Sequence, residues 1–220
     1  MDQGMPSGAS EPVRERRIGR PPRGEAPILG GRIVLCASNL FLERGYSATS
    51  IEAVAAEAGV GKNTIYRRYA TKSELFKAVV DYQMRTLLPP LDALDLDDDP
   101  MEALRHLALT LVTASLKPET IALQRLVIAE ALRFPEMAAI YIKHAYERAT
   151  GIVEQVLARA GLAGKNAAEA NFAAEEFIAC LIYVPHTYAL LGDFRLVTDI
   201  HVARHVDQAL ALFLTGYGKR

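Results

Sequence analysis

From residue 28 onward, apolar positions recur at helical spacing, and no stretch sustains the two-residue alternation of a half-buried strand. No Asn-Gly or Asp-Gly pair marks a hairpin. The pattern predicts helices over residues 28–44, 50–58, 62–69, 72–88, 100–116, 118–133, 135–160, 166–191 and 199–215. Punctuation supports these limits. Thr49-Ser50-Ile51-Glu52 and Thr71-Lys72-Ser73-Glu74 read as capping boxes. Asp99-Pro100-Met101-Glu102 places an acid at the N-cap and proline at the first helical position. Pro118 and Pro135 open further helices, and Gly45, Gly59, Gly161 and Gly192 stand where helices end. The expected fold is all-α.

The same pattern divides the chain. Residues 1–25 are rich in Gly, Pro, Ser and Arg and lack periodicity, so they read as a disordered basic arm. Pro89 and Pro90 stop a helix, and Asp92, Asp95, Asp97, Asp98 and Asp99 follow as an acidic seam. The boundaries read 1–25 for the arm, 26–88 for a front domain and 89–220 for a back domain. Charge changes this picture. The net charge is −1, yet residues 1–88 hold 13 basic and 9 acidic side chains, whereas residues 89–220 hold 12 and 17. A basic front and an acidic back imply different partners.

The chemistry lies in the front domain. Ile51, Val54, Ala55 and Ala58 share one face of a short helix that Gly59 ends. The next short helix turns Ile65 and Tyr69 inward and leaves Lys62, Asn63, Thr64, Arg67 and Arg68 outside. Two short helices joined by a tight glycine turn form a helix-turn-helix, with Ile33, Ala37, Leu40 and Phe41 supplying a third wall. A major groove about 12 Å wide admits one helix, and its N-terminal residues meet base edges. Residues 62–77 carry five basic groups and one acid, which suits phosphate.

The run from Phe41 to Ile51, then Val54 to Val60, then Lys62 to Phe76 resembles the DNA-binding domain of TetR-family transcriptional regulators over roughly residues 32–80. The resemblance implies that Thr49, Tyr66 and Lys72 contact phosphates and that residues 62–64 and 67–68 form the recognition face. Gly61, Asn63, Arg67 and Arg68 depart from the Ser, Gly, His and His common in that family, so no operator sequence carries over. Arg125 to Met137 resembles the AefR-like branch of TetR C-terminal domains, which implies an all-helical regulatory domain and a dimer.

The remaining signals have competing readings. In the arm, Arg17 and Arg20 of Gly19-Arg20-Pro21-Pro22 read either as a solubilising tail or as a minor-groove arm. Tyr141, His144, Tyr183, His186 and Tyr188 put polar tips on apolar helices, which reads as bonded core or as a pocket for an apolar or aromatic effector. Helices 166–191 and 199–215 are apolar on more than one stripe, with Phe172, Phe177, Ile178, Leu181, Ile182 and Val184, then Val202, Val206, Leu210 and Phe213. The surplus side is expected to meet a second copy. His201 and His205 share a helix face, without a carboxylate in ligand frame, and read as ordinary surface or interface histidines rather than a metal site. No P-loop, GxSxG or dinucleotide fingerprint occurs, so no enzyme activity and no cofactor are expected. Cys36 and Cys180 form no disulfide framework, and the polar start has no apolar signal region. The expectation is a cytoplasmic homodimeric repressor, nucleoid-associated when bound to a palindromic operator and released by a small molecule. The alternative is a nucleoid-like protein binding DNA without sequence preference.

Overall fold

A computed structural model describes residues 26–88 and 99–217. The described elements are α1 (Ala26–Arg44), α2 (Ile51–Glu57), α3 (Lys62–Tyr66), α4 (Lys72–Leu87), α5 (Pro100–Ser115), α6 (Pro118–Glu130), α7 (Pro135–Tyr141), α8 (Glu147–Arg159), α9 (Ala167–Leu190) and α10 (Asp199–Tyr217). A π-helical turn, Ile142–Tyr146, joins α7 to α8. The expected all-α fold is what the described residues adopt. The single helix expected over 135–160 is interrupted by this wider turn, which apolar periodicity does not register. The basic arm, with Arg17 and Arg20, and most of the acidic seam lie outside the described residues.

Caps account for the helix starts, with one correction. Ser50, not Thr49, caps α2: its hydroxyl accepts from the Ala53 amide at 3.1 Å. Thr49 is 1 % exposed, and its hydroxyl has the Leu40 and Gly45 carbonyls as acceptors at 3.0 and 2.8 Å. It therefore ties the end of α1 to the start of α2. Thr71 caps α4 through the Glu74 amide, and the Glu74 carboxylate accepts from Ala70 at 2.7 Å. Asp99 caps α5 through the Met101 and Glu102 amides.

Two apolar cores form, and they do not divide at residue 88. The front core gathers Ile33, Phe41, Val54, Ile65, Phe76 and Val79, and it continues into Val127 of α6 and Met137 of α7. The back core joins α5, α8, α9 and α10 through Leu104, Leu107, Val153, Leu157, Phe177 and Val206. Met84 near the end of α4 packs against both. Phe177 and Phe213 meet edge to face at 5.1 Å. Phe177, Leu181, Val206, Leu210 and Phe213 are thus core residues of one protomer. The apolar surplus expected of these helices lies elsewhere, on Phe172, Tyr183, Val184, Leu191 and Leu212.

Pro185 stands inside α9. A proline has no N–H, so the carbonyl four residues earlier, that of Leu181, loses its intrahelical donor. The Nε2–H of His205 on α10 donates to that carbonyl at 2.7 Å. His201 pairs instead with Thr198. The two histidines that share a helix face thus have separate protein partners.

The compensation is testable. His205→Ala should lower stability to urea by roughly 1–3 kcal/mol, because it leaves a buried-side carbonyl without a donor. Pro185→Ala restores the helix N–H, so the same histidine change should cost markedly less in that background. Strictly additive effects in the double-mutant cycle would detach His205 from the proline gap.

Candidate functional site

The front domain presents one short helix on a fixed base. After α2, Gly59 takes φ +63°, a conformation glycine adopts without strain. The Val60 amide reaches the Ala55 carbonyl and the Gly59 amide the Ala56 carbonyl, at 2.9 and 3.1 Å. That paired closure ends α2 sharply. Ile65 of α3 is completely buried, which fixes the rotation of the helix. Lys62, Asn63, Tyr66 and Arg67 are consequently exposed, with Thr64 half-buried and Gly61 exposed at the N-cap. Arg68 is exposed as well, and its guanidinium lies against Gly30 of α1.

Lys72 sits differently from the other basic groups. Its ammonium donates to the carbonyls of Tyr46, Thr49 and Ser47, at 2.9, 3.1 and 3.4 Å. It also lies 4.4 Å from the Tyr46 ring centroid. Burial lowers its pKa, and Glu130 and Glu136 oppose that shift. Tyr46 is buried among Phe41, Phe76 and Phe134, with ring centroids 5.2–5.8 Å apart along the cluster. Its phenol is pushed up to about 12, first by burial and then by the same two carboxylates. The Ser47 amide donates to both Glu130 oxygens at 3.2 Å. Gly45, at φ +85°, lies so close that a Cβ there would meet Glu130 Oε1 at 2.9 Å. The last residue of α6 is therefore docked on the loop that opens the helix-turn-helix. Neither the apolar pattern nor the charge pattern singled out Glu130.

The same helix borders a cavity. A partly open space of about 230 Å³ lies among α4, α5, α6, the π turn and α9. Its lining is largely apolar, including Met84, Leu88, Leu111, Ala145, Ile178 and Ile182, with polar groups from Ser115, Thr120, Gln124, Tyr141, Tyr146 and His186. Among the described residues, no carboxylate, lysine or arginine lines it. His186 is 7 % exposed. Its Nδ1 faces the Ser115 carbonyl at 3.0 Å and its Nε2 faces the Gln124 side-chain amide. Burial pushes the ring below its ordinary value of 6.5, against the opposing bond to Ser115. A neutral ring has one N–H, which the Ser115 carbonyl requires. The Gln124 Oε1 placed against Nε2 would then face a second acceptor, and rotating the amide by half a turn, which brings its NH₂ there, completes the pair.

Of the five polar tips expected to meet an effector, Tyr141 and His186 line the cavity. His144 does not: its Nδ1 pairs with Asp81 on α4 at 2.9 Å. Tyr183 and Tyr188 lie on the outer side of α9, 72 % and 44 % exposed. The helix carries apolar residues all round, and the spacing alone could not tell its inner face from its outer one. Gln124, Thr120 and Tyr146 escaped the sequence reading. A polar residue in mid-helix has no spacing signal that separates pocket from surface.

These features define a helix-turn-helix head joined to a helical domain with an internal cavity. Family profiles match both parts: residues 33–79 match the bacterial regulatory proteins of the tetR family, and residues 102–219 match the C-terminal domain of AefR-like transcriptional repressors. The chain belongs to the TetR family. Among curated proteins it is 36 % identical over 73 residues to the HTH-type transcriptional activator FasR of Mycolicibacterium smegmatis, covering 33 % of this chain and 32 % of FasR. It is 24 % identical over 178 residues to the regulator UidR of Escherichia coli K12, covering 78 % of this chain and 84 % of UidR. The first of these matches spans about a third of the relative's length. The solved structure of the flavonoid-responsive regulator FrrA aligns with a TM-score of 0.71 at 27 % identity, over 86 % of this chain and 97 % of that one. A regulator of the same family from Mesorhizobium loti aligns with a TM-score of 0.71 at 25 % identity, over 87 % and 98 %.

The His186 environment sets a pH dependence. Its folded pKa lies below the unfolded one, so the unfolded chain takes up the proton first as pH falls. The contribution is fully present above about 6.5 and is lost as pH falls below that value toward the folded pKa. Urea midpoints measured from about pH 7.5 to 5.5 should fall more steeply for the wild type than for His186→Gln. Parallel slopes would remove His186 from the account.

Proposed function

We propose that this protein is a cytoplasmic, ligand-responsive transcriptional repressor that binds a near-palindromic operator as a homodimer. The observation that carries this reading is α6: one helix borders the cavity through Thr120 and Gln124 and docks on the DNA-binding head through Glu130. In this reading α3 enters the major groove. Asn63, Thr64 and Arg67 meet base edges, while Tyr66, Lys62 and Arg68 contact phosphates, Lys72 adds its charge to the phosphate field with its N–H groups on the loop carbonyls, and Gly61 leaves room for close approach. Thr49 has no place in that list by its hydroxyl, which the Leu40 and Gly45 carbonyls occupy. It acts by holding the loop. Arg17 and Arg20 would follow the minor groove beside the site.

An effector acts only through different affinities for DNA-competent and DNA-incompetent arrangements. Filling the cavity would displace α6 and α4, and with them the separation of the two recognition helices. Half-sites lie at fixed spacing on one face of the duplex, so a small change in separation weakens binding. The name of the FrrA neighbour, flavonoid-responsive, supports an aromatic effector.

The outer face of α9 supports the dimer reading. Phe172, Tyr183 and Val184 of α9 and Leu191 just past its end are all exposed, with Leu212 on α10. A patch of this kind marks an interface. A two-fold axis applies each substitution twice. Tyr183→Asp and Leu212→Asp should give folded monomers by sedimentation, with unchanged helicity and lost operator binding. Phe177→Asp should unfold the protomer instead. A wild-type chain that sediments as a monomer at micromolar concentration would end the dimer reading.

The DNA assignment is tested on an operator selected from random duplexes. Asn63→Ala should relax discrimination at one base pair by about 1–3 kcal/mol and leave others unchanged. Lys72→Ala should lower the thermal midpoint, since three carbonyls lose their donor. On the folded protein it should also flatten the slope of log affinity against log salt by about one unit. An unchanged slope would show that Lys72 serves the loop alone. Equal affinity for operator and random duplex at one salt concentration would favour the nucleoid-like alternative.

A further inference from the structure

The chemistry of the cavity wall narrows the effector beyond its being apolar. Four of its polar side chains already have protein partners. The Ser115 hydroxyl donates to the Val112 carbonyl at 2.8 Å. The Thr120 hydroxyl donates to the Ala114 carbonyl at 2.8 Å. His186 is held between Ser115 and Gln124, so that pair satisfies itself. Two tyrosines of the wall remain: Tyr146 is 44 % exposed and open to water, and the more buried one is Tyr141. It lines the cavity at the last residue of α7, where the π turn begins, and no described residue exchanges a hydrogen bond with its hydroxyl. Burial is the one cause that pushes this phenol up to about 12, so it stays a neutral donor throughout the physiological range. A desolvated hydroxyl without a partner is unfavourable, and whatever enters the cavity gains by accepting from it.

A second constraint is the absence of charge. With no lysine, arginine or carboxylate among the described residues of the wall, an ionised ligand would enter without a counter-charge from them. Neutral His186 offers none. The volume of about 230 Å³, partly open to solvent, suits a compact ring system.

Resting on the reading of this cavity as an effector site, we propose that the effector is a neutral bicyclic-sized molecule bearing a carbonyl or similar acceptor, which takes a hydrogen bond from Tyr141. Carboxylates and amines of the same shape are excluded. Tyr141 is then the group that tells an oxygenated ligand from a plain hydrocarbon, and its place beside the π turn puts that contact between α7 and α8.

Three probes of one shape test this on the full chain by titration calorimetry: 1-tetralone as neutral acceptor, tetralin as hydrocarbon, and 1-naphthoate as anion. Tetralone should bind roughly five- to tenfold more tightly than tetralin, the worth of one hydrogen bond. Naphthoate at neutral pH should bind more weakly than either. Tyr141→Phe should abolish the preference for tetralone and leave tetralin affinity unchanged, with the thermal midpoint reporting the fold. Tighter binding of naphthoate, an unchanged preference in Tyr141→Phe, or no binding of any probe would overturn the proposal. Operator release is scored separately by fluorescence anisotropy. A ligand that binds with the expected preference but leaves operator affinity unchanged would sink the ligand-responsive reading while the ligand class stands.

Discussion

The Lys72 ammonium is the contact on which the head depends. One cation draws together three carbonyls of the loop after α1 and the face of Tyr46, within the field of Glu130 and Glu136. That loop has further ties of its own. It leaves α1 through a positive-φ glycine and needs the Thr49 hydroxyl to satisfy the Leu40 and Gly45 carbonyls. Its Ser47 amide points outward to Glu130. The helix-turn-helix therefore has no independent base. Its entry loop is shared with the regulatory helices, and the aromatic cluster of Tyr46 with Phe134 extends the joint into α7. A boundary drawn from composition at residue 88 passes through a region where one core runs continuously across it.

The far end of the same system is α9. Pro185 prevents an ordinary turn there, and His205 closes the gap from α10. The arrangement serves the next residue. His186 is turned toward α5 and α6, where Ser115 and Gln124 receive it. Arg125, one residue beyond Gln124, donates to the Ala189 and Leu190 carbonyls near the end of α9. α6 is thus pinned to α9 at adjacent residues and to the head at its last one. A helix of this length is stiff, with a rise of about 1.5 Å per residue, so roughly 9 Å separates the cavity contact at Gln124 from the head contact at Glu130.

What the sequence made legible follows from where the determining forces act. The head was readable because its signals are local: a glycine at positive φ, a buried Ile65 between two short amphipathic helices, and caps at Thr71 and Asp99. Thr49 shows the boundary of that legibility. Its position was clear from the resemblance, but the partner of its hydroxyl is set by tertiary packing. The cavity was only half legible. Tyr141 and His186 were named, and so were Tyr183 and Tyr188, because a helix apolar on nearly every side gives no sign of which side faces its own core. For the same reason Phe177 and Leu210 looked like interface residues and are buried within one protomer. Gln124 and Glu130 act through long-range contacts, 62 and 83 residues away in the chain, and no local pattern encodes those.

The magnitudes decide what kind of switch this joint can be. A useful coupling between effector and operator is about 1–3 kcal/mol. The Ser47–Glu130 pair is a charge-assisted hydrogen bond, worth at most about 1.5–3 kcal/mol and less here because it is exposed to solvent. The aromatic and carbonyl contacts of Tyr46 and Lys72 are more deeply set, and their loss would endanger the fold of the head. A graded response therefore calls for changing the exposed pair while the buried cluster persists. The head would then pivot on Tyr46 rather than detach. A pivot alters the angle and spacing of α3 without disordering it, so its recognition residues stay intact but misplaced. It is also reversible, because the buried cluster that would have to rebuild never comes apart.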